Sequence, residues 1–220
     1  MERYIPILKN TKLFSGVDED EIMSMLPCLK AKFLRYEKGE YVLHQGESIE
    51  HIMVLAEGKL HIQCDDYWGN RSIMNLIEEG EIFGEAYAAP ESGPFVNDVL
   101  AVENSTVIFL NVKQLMTVCS SACRFHSMVV QNLFFTISEK NRKLIQKLGF
   151  MSQRTTREKL IAYLSEEARR QKSGTFIISF NRQQLADYLS VDRSAMSNEL
   201  SKMRDEGLLE FKRNSFTLLL

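Results

Sequence analysis

The chain has few of the residues that would settle its class at once. Its 220 residues include 4 cysteines, 4 histidines, 4 prolines and one tryptophan. It has no run of about 18 apolar residues to span a bilayer. The opening Met1-Glu2-Arg3-Tyr4 lacks the apolar stretch of a secretory signal. These absences predict a cytoplasmic protein with no membrane partner. Cys28, Cys64, Cys119 and Cys123 are scattered, so reduced thiols are expected rather than a disulfide framework. Cys119 and Cys123 share a helix face, a spacing that allows a thiol switch but strains a direct disulfide. His44, His51, His61 and His126 show no ligand spacing. Clustered His and Glu ligands of the kind a metal-dependent β-barrel enzyme needs are missing, so neither a metal, a cofactor nor an enzymatic activity is expected.

Charge of one sign is also lacking, since the net value is −2. Split along the chain, residues 1–150 carry 15 Lys and Arg against 20 Asp and Glu, and residues 151–220 carry 12 against 9. An acidic body therefore carries a mildly basic end. The remainder is ordinarily globular, 45% hydrophobic and 25% charged, and long enough for one large core or two modest ones.

Four zones follow. Residues 12–30 predict short helices, with Asp18-Glu19-Asp20-Glu21 suited to a first helical turn. Residues 31–112 alternate β-prone runs with glycines: Tyr41–His44, Ile52–Leu55, Leu60–Gln63, Ile73–Ile77, then Val99–Leu110, with Trp68-Gly69-Asn70 as a hairpin tip. Many short strands at close spacing indicate a sandwich or barrel. Residues 112–149 predict helix. Val130, Phe134, Ile137, Asn141, Leu144 and Leu148 recur at 4-3-4-3-4, a heptad seam whose polar Asn141 suits register-setting in a dimer. Gly149 and Ser152–Thr156 mark a hinge, followed by a helix to about Lys172 and a short strand at Phe176–Ser179.

The last zone carries the chemistry. Asn181 and Gln184 form a capping-box pattern, and Leu185, Ala186 and Leu189 line one helix face. Ser190-Val191 turns the chain, Asp192 caps a second helix, and Met196, Leu200 and Met203 face inward before Gly207 stops it. The opposite face carries Arg193, Ser194, Ser197, Asn198, Ser201 and Lys202: short and polar, able to enter a major groove. Beyond it, two alternating segments flank Lys212-Arg213-Asn214, a hairpin wing with a basic tip for phosphates. Arg182, Arg193, Ser194, Ser197, Asn198, Ser201, Lys202, Lys212 and Arg213 are the candidate DNA-binding residues.

In order along the chain, Leu13-Phe14, His44-Gln45-Gly46-Glu47, Glu57-Gly58, Gly80-Glu81-Ile82-Phe83-Gly84-Glu85, the seam helix and the Arg182–Gly207 pair resemble the cyclic-AMP receptor/fumarate-nitrate-reduction (Crp/Fnr) family of transcriptional regulators. The resemblance implies an α+β chain: a cyclic-nucleotide-binding-like jelly roll (double-stranded β-helix) over 1–112, a dimerisation helix over 113–149 and a winged helix-turn-helix over 150–220. It implies a homodimer on a palindromic double-stranded operator with half-sites roughly 34 Å apart, and RNA polymerase as a partner. An effector pocket would include Phe83, Gly84, Glu85, Ala86, Val96 and Asn97.

The chain departs from the family at two places. Members that bind cyclic AMP follow a Gly-Glu pair with an Arg-Ser pair that neutralises the phosphate. Gly84-Glu85 matches the first pair, but the second falls on Val96-Asn97, and no Lys or Arg occurs between Arg71 and Lys113. A buried phosphate without a cation is costly, so the effector is expected not to be cyclic AMP. An iron–sulfur cluster is not expected either, since only Cys28 lies in the first 60 residues. On the recognition helix, Arg193 matches the family's usual arginine, while Ser194 and Asn198 replace its frequent glutamate and second arginine. The competing reading is a cytosolic small-ligand-binding protein whose helical end does not bind DNA.

Overall fold

The structure is a computed structural model, and it describes residues 2–65, 71–89, 91–117 and 124–219. The chain divides into two compact units, Met1–Ser138 and Glu139–Leu220.

The first unit opens with α1 (Ile5–Asn10), a 3₁₀ turn over Lys12–Phe14, and α2 (Glu19–Met25). The acidic run does open α2, where the Asp18 N–H donates to the Glu21 carboxylate at 2.9 Å. Eight strands follow: β1 (Lys32–Tyr36), β2 (Tyr41–Leu43), β3 (His51–Glu57), β4 (Leu60–Asp65), β5 (Arg71–Ile77), β6 (Ile82–Phe83), β7 (Asp98–Ala101) and β8 (Ser105–Asn111). They pair in two antiparallel sheets, ordered β1-β8-β3-β6 and β2-β7-β4-β5, so chain neighbours repeatedly change sheet, as in a jelly roll. The sequence reading did not include β1 or β6, and its last β segment resolves into β7 and β8. The Trp68-Gly69-Asn70 tip, Cys119 and Cys123 lie outside the described residues.

Residues Ile52–Ala56 of β3 are all buried because both faces of this strand are covered. Ile52, Val54 and Ala56 meet Leu8, Leu13, Phe14 and Ile22 on the helical side. Met53 and Leu55 point between the sheets toward Leu60, Phe83, Phe95 and Val99. A two-sided strand has no polar alternation to show. After β8, Asn111 caps α3 (Val112–Met116), and α4 (Arg124–Met151) begins in this unit. Val129 and Leu133 of α4 enter the helical-side core, and the Asn132 amide donates to the Leu13 and Ser15 carbonyls at 3.1 and 2.8 Å.

The second unit contains the end of α4, α5 (Thr156–Gln171), β9 (Thr175–Ile177), α6 (Arg182–Leu189), α7 (Arg193–Asp205), β10 (Leu209–Lys212) and β11 (Ser215–Leu218). Its core joins Leu160 and Leu164 to Leu185, Leu189, Met196, Leu200 and Phe216. The expected hairpin is a three-stranded sheet, ordered β10-β11-β9, because the short strand before α6 pairs back onto the wing, Phe176 opposite Phe216. The chain as a whole is α+β, with a β-sandwich, a long helix and a winged helix-turn-helix. Among the described residues, no helix is long and apolar enough to cross a membrane.

Gly58 gives one stability test. Its φ is +96°, and an added Cβ would lie 2.6 Å from the Asn104 carbonyl oxygen and 2.8 Å from the Ser105 Cα. Backbone cannot swing aside as a side-chain tip can. Gly58→Ala is expected to lower the unfolding free energy by about 3 kcal/mol, combining φ strain with the clash, as measured by denaturant unfolding.

Candidate nucleic-acid interface

The geometry of the basic end is set by caps. Thr155 opens α5, its hydroxyl accepting the Glu158 N–H at 3.2 Å. Asn181 and Gln184 form the reciprocal box at α6: the Gln184 N–H donates to Asn181 Oδ1 at 3.0 Å and the Asn181 N–H to Gln184 Oε1 at 2.9 Å. The turn between α6 and α7 holds Ser190 at φ +51°, a strained position for a residue with a Cβ. Lys159 Nζ braces it by donating to the Leu189 and Ser190 carbonyls at 3.1 and 3.3 Å. Asp192 then caps α7, accepting the Ala195 N–H at 2.8 Å and the Ser194 hydroxyl at 2.5 Å.

On α7, Met196, Leu200 and Met203 are buried, so the rest of the helix circumference faces outward. Arg193, Ser194, Asn198 and Lys202 are exposed, whereas Ser197 and Ser201 are half-buried. The Ser197 and Ser201 hydroxyls donate to the carbonyls of Arg193 and Ser197 at 2.9 and 3.1 Å. Their lone pairs, rather than their protons, face any ligand. Lys202 Nζ lies 4.0 Å from Glu199. At the wing tip, Lys212 and Arg213 are exposed, Arg213 at φ +55°, and the residue after β9 braces the turn, the Asn214 amide donating to the Ile178 carbonyl at 3.0 Å.

Arg182 stands apart from the other candidates. It is half-buried, with its guanidinium 4.9 Å from the Phe211 ring centre and 5.0 Å from that of Phe216. Burial lowers its pKa. Arg204 covers Phe211 as well, at 5.7 Å. Arg182 thus packs the wing onto α6, a role its position in the sequence does not disclose because Phe211 and Phe216 come about 30 residues later.

The candidate effector and dimer residues occupy the first unit and α4. Phe83 is buried in the cluster that holds Met53, Phe95 and Val99, and Gly84 follows it at φ +79°, a backbone conformation that favours glycine. Glu85 and Asn97 are half-exposed, Ala86 and Val96 exposed. The two segments are joined by Tyr87, whose ring meets buried Phe95 edge-on at 4.8 Å. Along the seam, Val130 packs against the core of its own unit. Phe134, Ile137, Leu144 and Leu148 remain 68, 41, 56 and 55% exposed, and Asn141 is exposed with them.

Two measurements test these placements. Arg182→Ala is expected to lower stability by about 1 kcal/mol while leaving the salt dependence of duplex binding unchanged. A log–log salt slope shallower by about one would instead mark a phosphate contact. The Asp192 carboxyl is held below its ordinary range, first by the Ser194 hydroxyl and then by the Ala195 amide. A lowered folded pKa gives stability that is present above the unfolded value of about 3.9 and lost as pH falls through the folded one. Asp192→Asn, which caps without titrating, is expected to flatten that acid limb in pH-dependent unfolding.

The family model of the cyclic nucleotide-binding domain matches residues 33–122, and that of the Crp-like helix-turn-helix domain matches residues 158–219. The cyclic AMP receptor protein of Thermus thermophilus is 23% identical over 202 residues, covering 92% of this chain and 89% of that one. Human cGMP-dependent protein kinase 2 is 27% identical over 104 residues, 47% of this chain but only 13% of the kinase, a likeness confined to one domain. Among solved structures, the Thermus thermophilus catabolite activator protein covers 94% of this chain at TM-score 0.54 and 22% identity, with 93% of its own length matched. CprK bound to OCPA matches over 89% of each chain at TM-score 0.61 and 15% identity, a likeness of fold. With both family models matched in order on one chain and a cyclic AMP receptor protein similar over nearly its whole length, the chain belongs to the Crp/Fnr family of DNA-binding transcriptional regulators.

Proposed function

We propose that the chain acts as a homodimer that sets two α7 helices into successive major-groove turns of a roughly palindromic operator, half-sites about 34 Å apart. The observation that carries this reading is the exposed seam. Phe134, Ile137, Leu144 and Leu148 are spaced as one stripe of α4, and within their own units they are exposed among the described residues. Covering such side chains is worth roughly 1–2 kcal/mol each, and contiguous apolar exposure of this kind marks an interaction face. A second copy presents the same stripe, with Asn141 opposite Asn141 fixing the register. Val130, packed into its own unit, is left out of the interface.

On each half-site, Arg193 and Asn198 are the base readers, suited to guanine and adenine edges respectively. Ser194, Ser197 and Ser201 offer acceptors, and Lys202, Lys212 and Arg213 hold phosphates. The functional division we assign is 1–112 for the effector-type domain, 113–149 for the dimer helix and 150–220 for DNA binding. The first of these gates the readers through the dimer helices, by shifting the population between two dimer arrangements. Cyclic AMP is not the gate, because the stretch from Ser72 to Val112 supplies no cation for its phosphate. RNA polymerase is the further partner at the promoter.

Selection of bound fragments from the source genome, run with and without reductant and candidate metabolites, tests operator and gating together. Expected results are a two-fold symmetric motif and no response to cyclic AMP; a monomer without preference over random DNA would overturn the reading. Phe134→Glu combined with Leu144→Glu is expected to give a monomer by light scattering. It should weaken operator binding by about a hundredfold or more, since the half-sites then bind separately. Asn198→Ala should cost roughly tenfold and relax the preference at one base position.

A further inference from the structure

Arg157, in the first turn of α5, reaches across to the recognition helix. Its Nε lies 3.4 Å from Glu199 Oε1, and its Nη2 donates to Glu206. Glu199 and Glu206 are two helical turns apart and so line one flank of α7. That flank adjoins the face proposed to enter the groove, because Glu199 follows Asn198 directly. The flank's own cation, Lys202, stands 4.0 Å from Glu199, so without Arg157 two carboxylates would be set against one ammonium. A groove is walled by phosphates, and unneutralised carboxylates beside it would be repelled.

We infer that Arg157 is a positioning residue for DNA binding: together with Lys202 it offsets the charge of Glu199 and Glu206, and it fixes the flank of α7 from α5. The inference rests on the DNA-binding reading above. Arg157 itself takes no part in reading bases. Arg157 is half-buried and Glu206 exposed, and ion pairs that keep this much contact with water add modestly to folding, so the larger effect falls on binding. The arrangement also explains how a helix with two flank carboxylates can serve at a polyanion. The neutralising charge comes from another element, where the sequence of α7 alone does not show it.

The test measures binding of a random-sequence duplex, as a function of salt, to the full chain and three variants, with thermal unfolding in parallel. R157M is expected to weaken low-salt binding roughly tenfold with little change in the unfolding midpoint. R157M/E199Q/E206Q should recover to within about twofold of the native chain. R157K, which keeps the charge but loses the fork, should fall between. The inference is overturned if R157M binds as the native chain does. It is equally overturned if the triple variant stays as weak as R157M, since Arg157 would then contact phosphate itself or act through the fold. Should R157M not fold, E199Q/E206Q in the native background decides. Releasing Arg157 should tighten binding several-fold and steepen the salt slope, and unchanged binding overturns the inference. A native chain that ignores duplex DNA at low salt fails the underlying reading instead, an outcome distinct from all of these.

Discussion

The outward face of α7 can be short and polar only because its inward face is completely buried. Met196, Leu200 and Met203 meet Leu160, Leu164, Leu185 and Leu189 in one small core. A helix of 13 residues carrying three serines and an asparagine has weak intrinsic helicity. Nothing on its own surface would hold it in place. The core supplies the burial, Asp192 the start, Lys159 the braced turn before it, and the wing the support at its end. The proposed readers Arg193 and Asn198 are exposed and lie outside this core, whereas Arg182 is the candidate that packs inward, against Phe211 and Phe216.

The electrostatics of the first unit show what a family likeness leaves open. Gly84 turns the chain at φ +79°, a conformation that favours glycine whatever the local charge. The matching cation is missing, while Phe83, Phe95 and Met53 fill the space between the sheets. An effector of the kind proposed for this unit would find no Lys or Arg in residues 72–112, which favours neutral or weakly polar chemistry over a phosphate.

How much was legible in the sequence follows the range of the interactions involved. Caps are local, so Asn181 with Gln184 and Asp192 with Ala195 could be placed from spacing alone. The buried face of α7 is a period and was equally visible. Long-range pairing was not: β1 and β6 are defined by their partners β8 and β3, and β9 joins the wing only through β11. Arg182 reads as one more basic residue at a helix start until the wing folds over it. Val130 fits the heptad as well as Phe134 does, and only the helical-side core of its own unit distinguishes them.

The end of α4 carries part of the proposed dimer seam and also packs against the helix that precedes the proposed reader. Within the second unit, Leu144 and Leu148 are exposed, while Gln146, Lys147 and Phe150 engage α5 and α6. The Gln146 amide donates to Glu166 at 3.0 Å, Lys147 Nζ sits 5.4 Å over the Tyr188 ring, and Phe150 meets Tyr163 edge-on at 5.7 Å. Tyr188 belongs to α6, and Phe180 beside it leads into the Asn181 cap. One side of the same helical turns thus faces the proposed partner, and the other grips the helix that precedes the reader. A rotation of α4 in the seam must either carry α6 with it or break this aromatic cluster. In packed interiors such rearrangements are discrete rather than gradual. The cluster is therefore the element through which a change in the proposed dimer would reach Arg193 and Asn198.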